Sequence, residues 1–359
     1  MSADAPTLLN IYEKMVLCRS LDDILAQTRH LGNPFYIGST FEEPLVTVGL
    51  QMRSGSGIDY DILSAYYRSL PLVLGMGVPP RSIMQQAAMT ETDPFSKGRQ
   101  MVNHFSEPDF NIMPVSSCVT VEAGKGFASA LIQKMHSQAP VLTVVHLGDA
   151  MCAEADFWVM MQEISLRELP VLILVSNNGA GIHTPYQQGS AAPCQSAWGL
   201  ACKVATSSRP EDPDLLKYVE SFSPAMPTEV QFLDSPKPGW KLVDGTDLLS
   251  VYAASKTAID YIRRERKPFL LELRSERGRH HSSSSNPSGQ ILEQVKDWDP
   301  LQKFETRLIQ DGLLTPDQAD AIRAKIKADL MQEVESVKSE ALSEDAFSDM
   351  YYSGPLSTV

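Results

Sequence analysis

Two apolar runs that are continuous rather than alternating, Val141–Val145 (with Thr143 inside it) and Val171–Val175, dominate the hydrophobic pattern of this chain. Neither alternates with polar residues, which predicts parallel strands covered on both faces. Between them Phe157, Met161 and Ile164 recur at helical spacing. Glu154 and Asp156 fall in the expected first turn, where negative charge suits the helix dipole. Pro170 stops that helix before the second strand. The pattern predicts a right-handed strand–helix–strand crossover. Two turns, Gly148-Asp149-Ala150 and Asn177-Asn178, are then expected at the carboxyl ends of the strands.

The rest of the pattern extends this frame. Residues 6–30 predict one amphipathic helix with Leu9, Tyr12, Met15, Val16 and Leu25 apolar, followed by a connection at Leu31–Pro34. A helix over LVTVGLQM follows the segment Gly38–Pro44, and a small-residue helix covers AGKGFASALIQKM. In the latter, Gly124, Gly126 and Ala128 are expected to allow close packing. Strands are predicted at Lys241–Val243 and Pro268–Leu273, with a helix over 247–264 between them. Helices at 304–309 and 316–338 end the chain, the second with Ala321, Ile322, Ile326 and Leu330 recurring. The fold class is α/β, a parallel sheet with helices on both faces plus helical extensions at both termini. The expected units are a helical segment 1–55, an α/β domain 56–290 and a helical segment with tail 291–359. Within the α/β domain the Pro-rich stretch 207–240 is expected to be an insertion with a short helix at 214–219.

Composition narrows the classes. The 359 residues carry a formal net charge of −13, which argues against nucleic acid or an anionic membrane as partner. The amino terminus lacks a basic segment followed by an apolar core, and no apolar run approaches the roughly twenty residues of a membrane span. No secretory signal or membrane segment is therefore expected, and the location is expected to be cytoplasmic. The five cysteines (Cys18, Cys118, Cys152, Cys194 and Cys202) lack metal-ligand spacing. They are expected to be reduced, mostly buried thiols.

An Asp carboxylate, an Asn side-chain oxygen and a neighbouring backbone carbonyl suit octahedral Mg²⁺ that also takes phosphate oxygens. Gly-Asp or Asn-Asn alone says little. Together, with residues 151–176 intervening, they resemble the thiamine-diphosphate motif. Tyr67 and Arg68 offer a phenol and a guanidinium fork suited to a diphosphate, although on spacing alone they read as a core tyrosine beside a surface arginine. Lys97–Met101 is a small basic turn, and Gly124-Lys125-Gly126 lacks the spacing of a phosphate loop. Arg274, Arg277, Arg279, His280 and His281 share a segment without an apolar face, expected to be a loop over 274–290.

Several segments point the same way: Tyr67-Arg68, Gly98 to Phe105, Ser116-Ser117, Gly148-Asp149 and Asn177-Asn178-Gly179. Val243 to Asp247, Arg277, His280 to Ser284 and Phe347 to Tyr351 complete the set. Over residues 8–352 the chain is similar to the α subunit of the thiamine-diphosphate-dependent decarboxylating component of 2-oxoacid dehydrogenase complexes. It resembles the branched-chain (2-oxoisovalerate) type more than the pyruvate type, which usually carries Gly-Gly-Ser-Met-His where this chain has Gly-Arg-Gln-Met. The resemblance implies that Tyr67 and Arg68 hold the cofactor diphosphate, with Gly148, Asp149 and Ala150 in the same turn. It implies that Ser117 and the Val119 backbone meet the aminopyrimidine, and that Asp149, Asn178 and the Ala180 carbonyl bind Mg²⁺. His281 would sit over the cofactor and assist acyl transfer to a lipoyl group, and Ser282 matches a regulatory phosphorylation site of some relatives. The glutamate that activates the cofactor would come from a β subunit, giving an α₂β₂ assembly that works with a lipoyl acyltransferase component. The tail would lie against that β subunit.

The chain also departs from the pattern. Ala150 replaces a glycine, so its methyl is expected to crowd the phosphate approach. Ser176 stands where branched-chain relatives often place an arginine, and His183 where they usually place serine. Val121-Glu122 replaces a Thr-Gln pair linked to a monovalent-cation site, so the resemblance does not carry potassium binding over. Three readings stand: the α subunit of a branched-chain 2-oxoacid dehydrogenase; the α half of a carboligase or simple decarboxylase; and a catalytically silent subunit.

Overall fold

In the computed structural model, which describes residues 4–27, 35–185, 188, 239–283 and 290–343, the predicted crossover is the centre of a five-stranded parallel sheet. Its strands are β1 (Ile62–Ser64), β2 (Thr143–Gly148), β3 (Val171–Asn177), β6 (Trp240–Asp244) and β7 (Phe269–Arg274), in the order β1-β2-β3-β7-β6. Every pair in this sheet is parallel, with Thr143 opposite Val171 and Leu172 opposite Phe269. A small antiparallel hairpin, β4 (Ala180–Gly181) and β5 (Thr184–Pro185), follows β3. The helices are α1 (Ala5–Gln27), α2 (Val46–Gln51), α3 (Leu70–Met76), α4 (Pro80–Ala88), α5 (Val121–His136), α6 (Ala155–Leu166), α7 (Leu248–Glu265), α8 (Pro300–Gln310) and α9 (Pro316–Lys338).

The continuous apolar runs are explained by two cores. Val144, Leu172, Leu174, Val243, Leu271 and Leu273 face a core shared with α1, α2, α3, α7 and α9. Val145, Leu147, Val171, Ile173, Val175, Leu242 and Leu270 face a second core with α5 and α6. The pleat sends successive residues to opposite faces, so a strand buried on both is apolar at most positions. Among the described residues, no helix is long and apolar enough to cross a membrane.

Several expectations change. Helix α1 is not simply amphipathic: from Ile11 to Ala26 most residues are buried, including Arg19 and Asp22, which are paired with opposite charges. The turn after β2 does not lead straight into a helix; a 3₁₀ turn, Asp149–Ala153, intervenes, and Glu154 is extended at the start of α6. Helix α6 ends at Leu166, before Pro170 can act. Arg274 closes β7 rather than opening the loop. On α9 the buried face is Ala319, Leu330, Val334 and Val337, and Ala321 is exposed; its start at Pro316 carries the Thr315/Gln318 capping box. Cys18 and Cys152 are buried but Cys118 is exposed. The insertion 207–240 up to residue 238, Cys194, Cys202, Ser284, the connection 31–34 and the tail segment from Phe347 lie outside the described residues.

Of the three small residues on α5, Gly124 and Ala128 are exposed and only Gly126 makes the close approach. A Cβ on Gly126 would stand 2.1 Å from Val145 Cγ2 of β2, whereas one on Gly124 would meet nothing. Gly126→Ala should therefore destabilise the fold by about 1–3 kcal/mol through overpacking. Gly124→Ala should stabilise it by about 0.5–1 kcal/mol through helix propensity. Denaturant midpoints of the two variants check this; shifts of the same sign would contradict the packing described.

Candidate active site

The carboxyl ends of β1, β2, β3 and β7 open onto a cavity of about 370 Å³. Ligand sites of parallel α/β sheets lie outside these strand ends. After β1 come Tyr66, Tyr67 and Arg68; after β2, Gly148 to Met151; after β3, Asn178 and the hairpin Ala180–Pro185; after β7, Arg277 and His281. Ser117 and Val119 reach it from the loop before α5. Every predicted site residue therefore lines one cavity: Tyr67, Arg68, Ser117, Val119, Gly148, Asp149, Ala150, Asn178, Ala180 and His281.

The predicted metal ligands pass a test of their own chemistry. Asp149 is buried, and burial pushes its carboxyl up to about 6 against the pull of Arg274 and Arg277. Asn178 is buried too, and its Oδ1 has no hydrogen-bond partner. Its neighbour Asn177 is satisfied internally, donating to Glu272 Oε1 at 2.7 Å. A carboxylate that ionises with difficulty and an orphaned amide oxygen are both relieved by a hard divalent cation, so this oxygen-only donor set fits Mg²⁺.

Arg68 donates to the carbonyls of Gly38 and His281, the latter at 2.8 Å, and lies 3.1 Å from His281 Nδ1. A guanidinium has five N–H groups, so these contacts leave donors for a ligand. Because Arg68 can only donate, His281 Nδ1 accepts and its hydrogen resides on Nε2. Burial, together with Arg68 and Arg277, lowers the His281 pKa to about 4. Tyr67 meets His281 edge-on and stacks on His104 with centroids 5.7 Å apart. His104 Nδ1 bonds the Val102 carbonyl, so Nε2 accepts from the Ser117 hydroxyl at 2.6 Å.

Beneath the cavity runs a buried polar chain that sequence patterns did not reveal. Ser69 Oγ lies 2.8 Å from His146 Nδ1, and His146 Nε2 lies 2.9 Å from Ser176 Oγ. Ser176 in turn donates to Glu42 Oε2 at 2.7 Å. With Ser176 donating to Glu42, His146 Nε2 carries the hydrogen and Nδ1 accepts from Ser69. Ser176 thus sits inside the protein rather than on the cavity wall. Burial holds His146 neutral, at about 3, and pushes Glu42 up to about 7 against the pull of Ser176, Arg68 and Asn178.

The departures have local explanations. The Ala150 methyl packs on the hairpin: a Cβ on Gly181 would come 2.6 Å from it. His183 is an exposed residue of the hairpin turn, outside the cavity wall. Ser282 is buried. His104 and Arg277 are cavity residues to which sequence reasoning gave no role, although both lay in resembling segments; Glu42 and His146 carried no local signal.

Folded His281 and His146 bind no proton near neutrality, whereas the unfolded rings titrate near 6.5. Their contribution to stability is therefore present above that value and falls as pH drops toward 4 for His281 and 3 for His146. Glu42 acts with opposite sign, opposing folding above pH about 7 and relaxing as pH falls. Histidine NMR titration should show both rings neutral and without inflection from pH 8 to 5; an inflection of either ring near 6.5 would refute this burial.

The profile of the family described as Dehydrogenase E1 component matches residues 12–206 and 239–344. The chain is 26% identical over 341 residues to the 2-oxoisovalerate dehydrogenase subunit alpha of Bacillus subtilis, covering 94% of this chain and 89% of that protein. It is 23% identical to the mitochondrial human protein of that name, covering 97% and 71%. To the pyruvate dehydrogenase E1 component subunit alpha of Porphyra purpurea it is 25% identical, covering 92% and 88%. The matched segments contain the whole parallel sheet and its cavity, and the chain belongs to the dehydrogenase E1 component family.

Proposed function

We propose that this chain is the α subunit of a thiamine-diphosphate- and Mg²⁺-dependent dehydrogenase of branched-chain 2-oxoacids. It would act with a β subunit, as an α₂β₂ assembly, and pass the acyl group to a lipoyl acyltransferase component. The observation that carries this reading is the pairing of buried Asp149 with the unpartnered Oδ1 of buried Asn178 at one cavity. The likeness to 2-oxoisovalerate dehydrogenase α subunits supports the substrate class.

When bound, thiamine diphosphate supplies the carbanion chemistry of decarboxylation. This chain's residues supply position and charge. Asp149, Asn178 and the Ala180 carbonyl would hold Mg²⁺, and Arg68 with Tyr67 would bind the diphosphate. Ser117 and the Val119 backbone would meet the aminopyrimidine. His281, neutral with its hydrogen on Nε2, would offer that N–H as a hydrogen bond to the acyl acceptor. The aromatic stack of Tyr67 on His104 forms one wall of the cavity.

The decisive experiment is turnover of 3-methyl-2-oxobutanoate by the chain co-expressed with its β partner, with thiamine diphosphate, Mg²⁺ and an artificial electron acceptor. Asp149→Ala should abolish both turnover and Mg²⁺-dependent cofactor binding. Cofactor binding without turnover of any 2-oxoacid would replace the substrate assignment by the carboligase reading, and no binding would sink the cofactor assignment. His281→Ala should keep decarboxylation with the artificial acceptor but slow acylation of a lipoyl domain by about a hundredfold. Equal losses in the two assays would refute its transfer role.

A further inference from the structure

The segment Pro114–Thr120 brings Ser117 and Val119 to the cavity, where Ser117 Oγ bonds His104 Nε2 at 2.6 Å and Cys118 N–H donates to Ser116 Oγ at 3.0 Å. Its beginning is tied to the fold, with Met113 N–H donating to the Leu63 carbonyl and Val115 N–H to the Phe105 carbonyl, both at 2.9 Å. Its end is unfavourable. Thr120 has φ +68°, and its side chain makes no cap at the start of α5; its hydroxyl bonds the Val119 carbonyl instead. A β-branched residue keeps left-handed backbone only where the surroundings enforce it. Between these points Ser117, Cys118 and Val119 are all exposed.

Two side chains of α5 reach back and add a further restraint on the backbone between Pro114 and Ser116. The Glu122 side chain is fully buried, and its Oε1 accepts from Ser116 N–H at 3.0 Å. Lys125 Nζ donates to the Pro114 carbonyl and lies 3.5 Å from the same Glu122 Oε1. The ammonium therefore joins the first residue of the loop to the carboxylate that grips its third. Burial pushes the Glu122 carboxyl up, and Lys125 is the cation that draws it back toward its charged form. A buried carboxylate stripped of its cation is costly, so the two side chains hold the loop as a unit.

We infer that Lys125 is a built-in monovalent cation, a positioning residue whose tethered ammonium, set between the Pro114 carbonyl and the Glu122 carboxylate, fixes the loop presenting Ser117 and Val119 without a free alkali ion. An ammonium carries the charge of a potassium ion as a compact point charge on a flexible stem. Because it is tethered, the order it imposes does not depend on salt composition. Lys125 lines no part of the cavity and acts only through the loop. The inference rests on the proposed cofactor site for one of its two readouts.

The test compares the full-length chain, co-purified with its β partner, with the Lys125→Met variant. Hydrogen exchange of the 116–121 amides is measured without cofactor. Thiamine diphosphate affinity is measured in potassium chloride and in tetramethylammonium chloride of equal ionic strength. The wild type should show slow loop exchange and the same affinity in both salts. Lys125→Met should exchange faster in the loop while the amides of β2 and β3 stay protected, which reports an intact fold. Its affinity should fall about tenfold in tetramethylammonium, the scale of a lost charge-assisted hydrogen bond, and recover in potassium. Unchanged loop exchange in the variant, or potassium-specific tightening in the wild type, would overturn the inference. Failure of the wild type to bind the cofactor at all would remove the proposed function, and loop exchange would still decide the role of Lys125.

Discussion

A seam of buried charge sets the geometry on which the cavity depends. Arg19 of α1 donates to Glu43 at 2.6 Å and to both Asp299 oxygens at 2.9 and 3.1 Å. One turn on, Asp22 accepts from Tyr36 Oη, Ser39 N–H, Thr40 Oγ1 and Arg279. These contacts tie the first helix to the 36–43 segment, to the loop after β7 and to the start of α8. Buried ion pairs add little net stability over an apolar replacement, but removing one partner costs about 3–5 kcal/mol. Their effect here is placement. Gly38, next to the Asp22 cluster, offers its carbonyl to Arg68, and Tyr36 exchanges backbone and side-chain hydrogen bonds with Ser283, two residues from His281. The position of the cavity's histidine is thus set from the amino-terminal helix.

A second constraint lies inside the sheet. Strand β2 is buried nearly throughout, yet carries His146 in its middle. A buried imidazole is tolerable only if both nitrogens are bonded. Ser69 and Ser176 meet that need, and the chain ends on Glu42. The same bonds connect the segment after β1, the middle of β2, the end of β3 and the segment before α2. The strand ends that carry Arg68, Asp149 and Asn178 are therefore mutually fixed by polar as well as apolar contacts.

How much of this could be read from sequence follows from the range of each signal. The crossover β2–α6–β3 was legible because a strand covered on both faces is apolar at most consecutive positions rather than at every second one. Helix α9 was legible from its recurring apolar residues, of which Leu330 is buried, whereas its capping box at Thr315 and Gln318 was not read. Strand β1 was missed because its three residues carry too short a period, and α4 because nine residues that open on the second of two prolines resemble a connection. The residues proposed to hold a metal and a diphosphate were reachable only through ordered resemblance over the whole chain. Glu42, His146 and Ser176 stand 30 to 134 residues apart, and no local pattern announces that they touch. The burial of Arg19 and Asp22 was hidden likewise, since charge in a helix ordinarily marks its solvent side.

The contact of Ala150 with Gly181 has a consequence for how such chains are recognised. The turn after β2 carries a methyl at Ala150, and the facing hairpin has no side chain at Gly181, the point where that methyl lies. The space between the two turns accommodates a single carbon, and either side can provide it. A search demanding glycine at position 150 would discard this chain, whereas one demanding a small residue on one side and glycine on the other would keep it. Homologues that acquire a side chain at 181 are then expected to have lost the one at 150, so the two positions should change together through evolution.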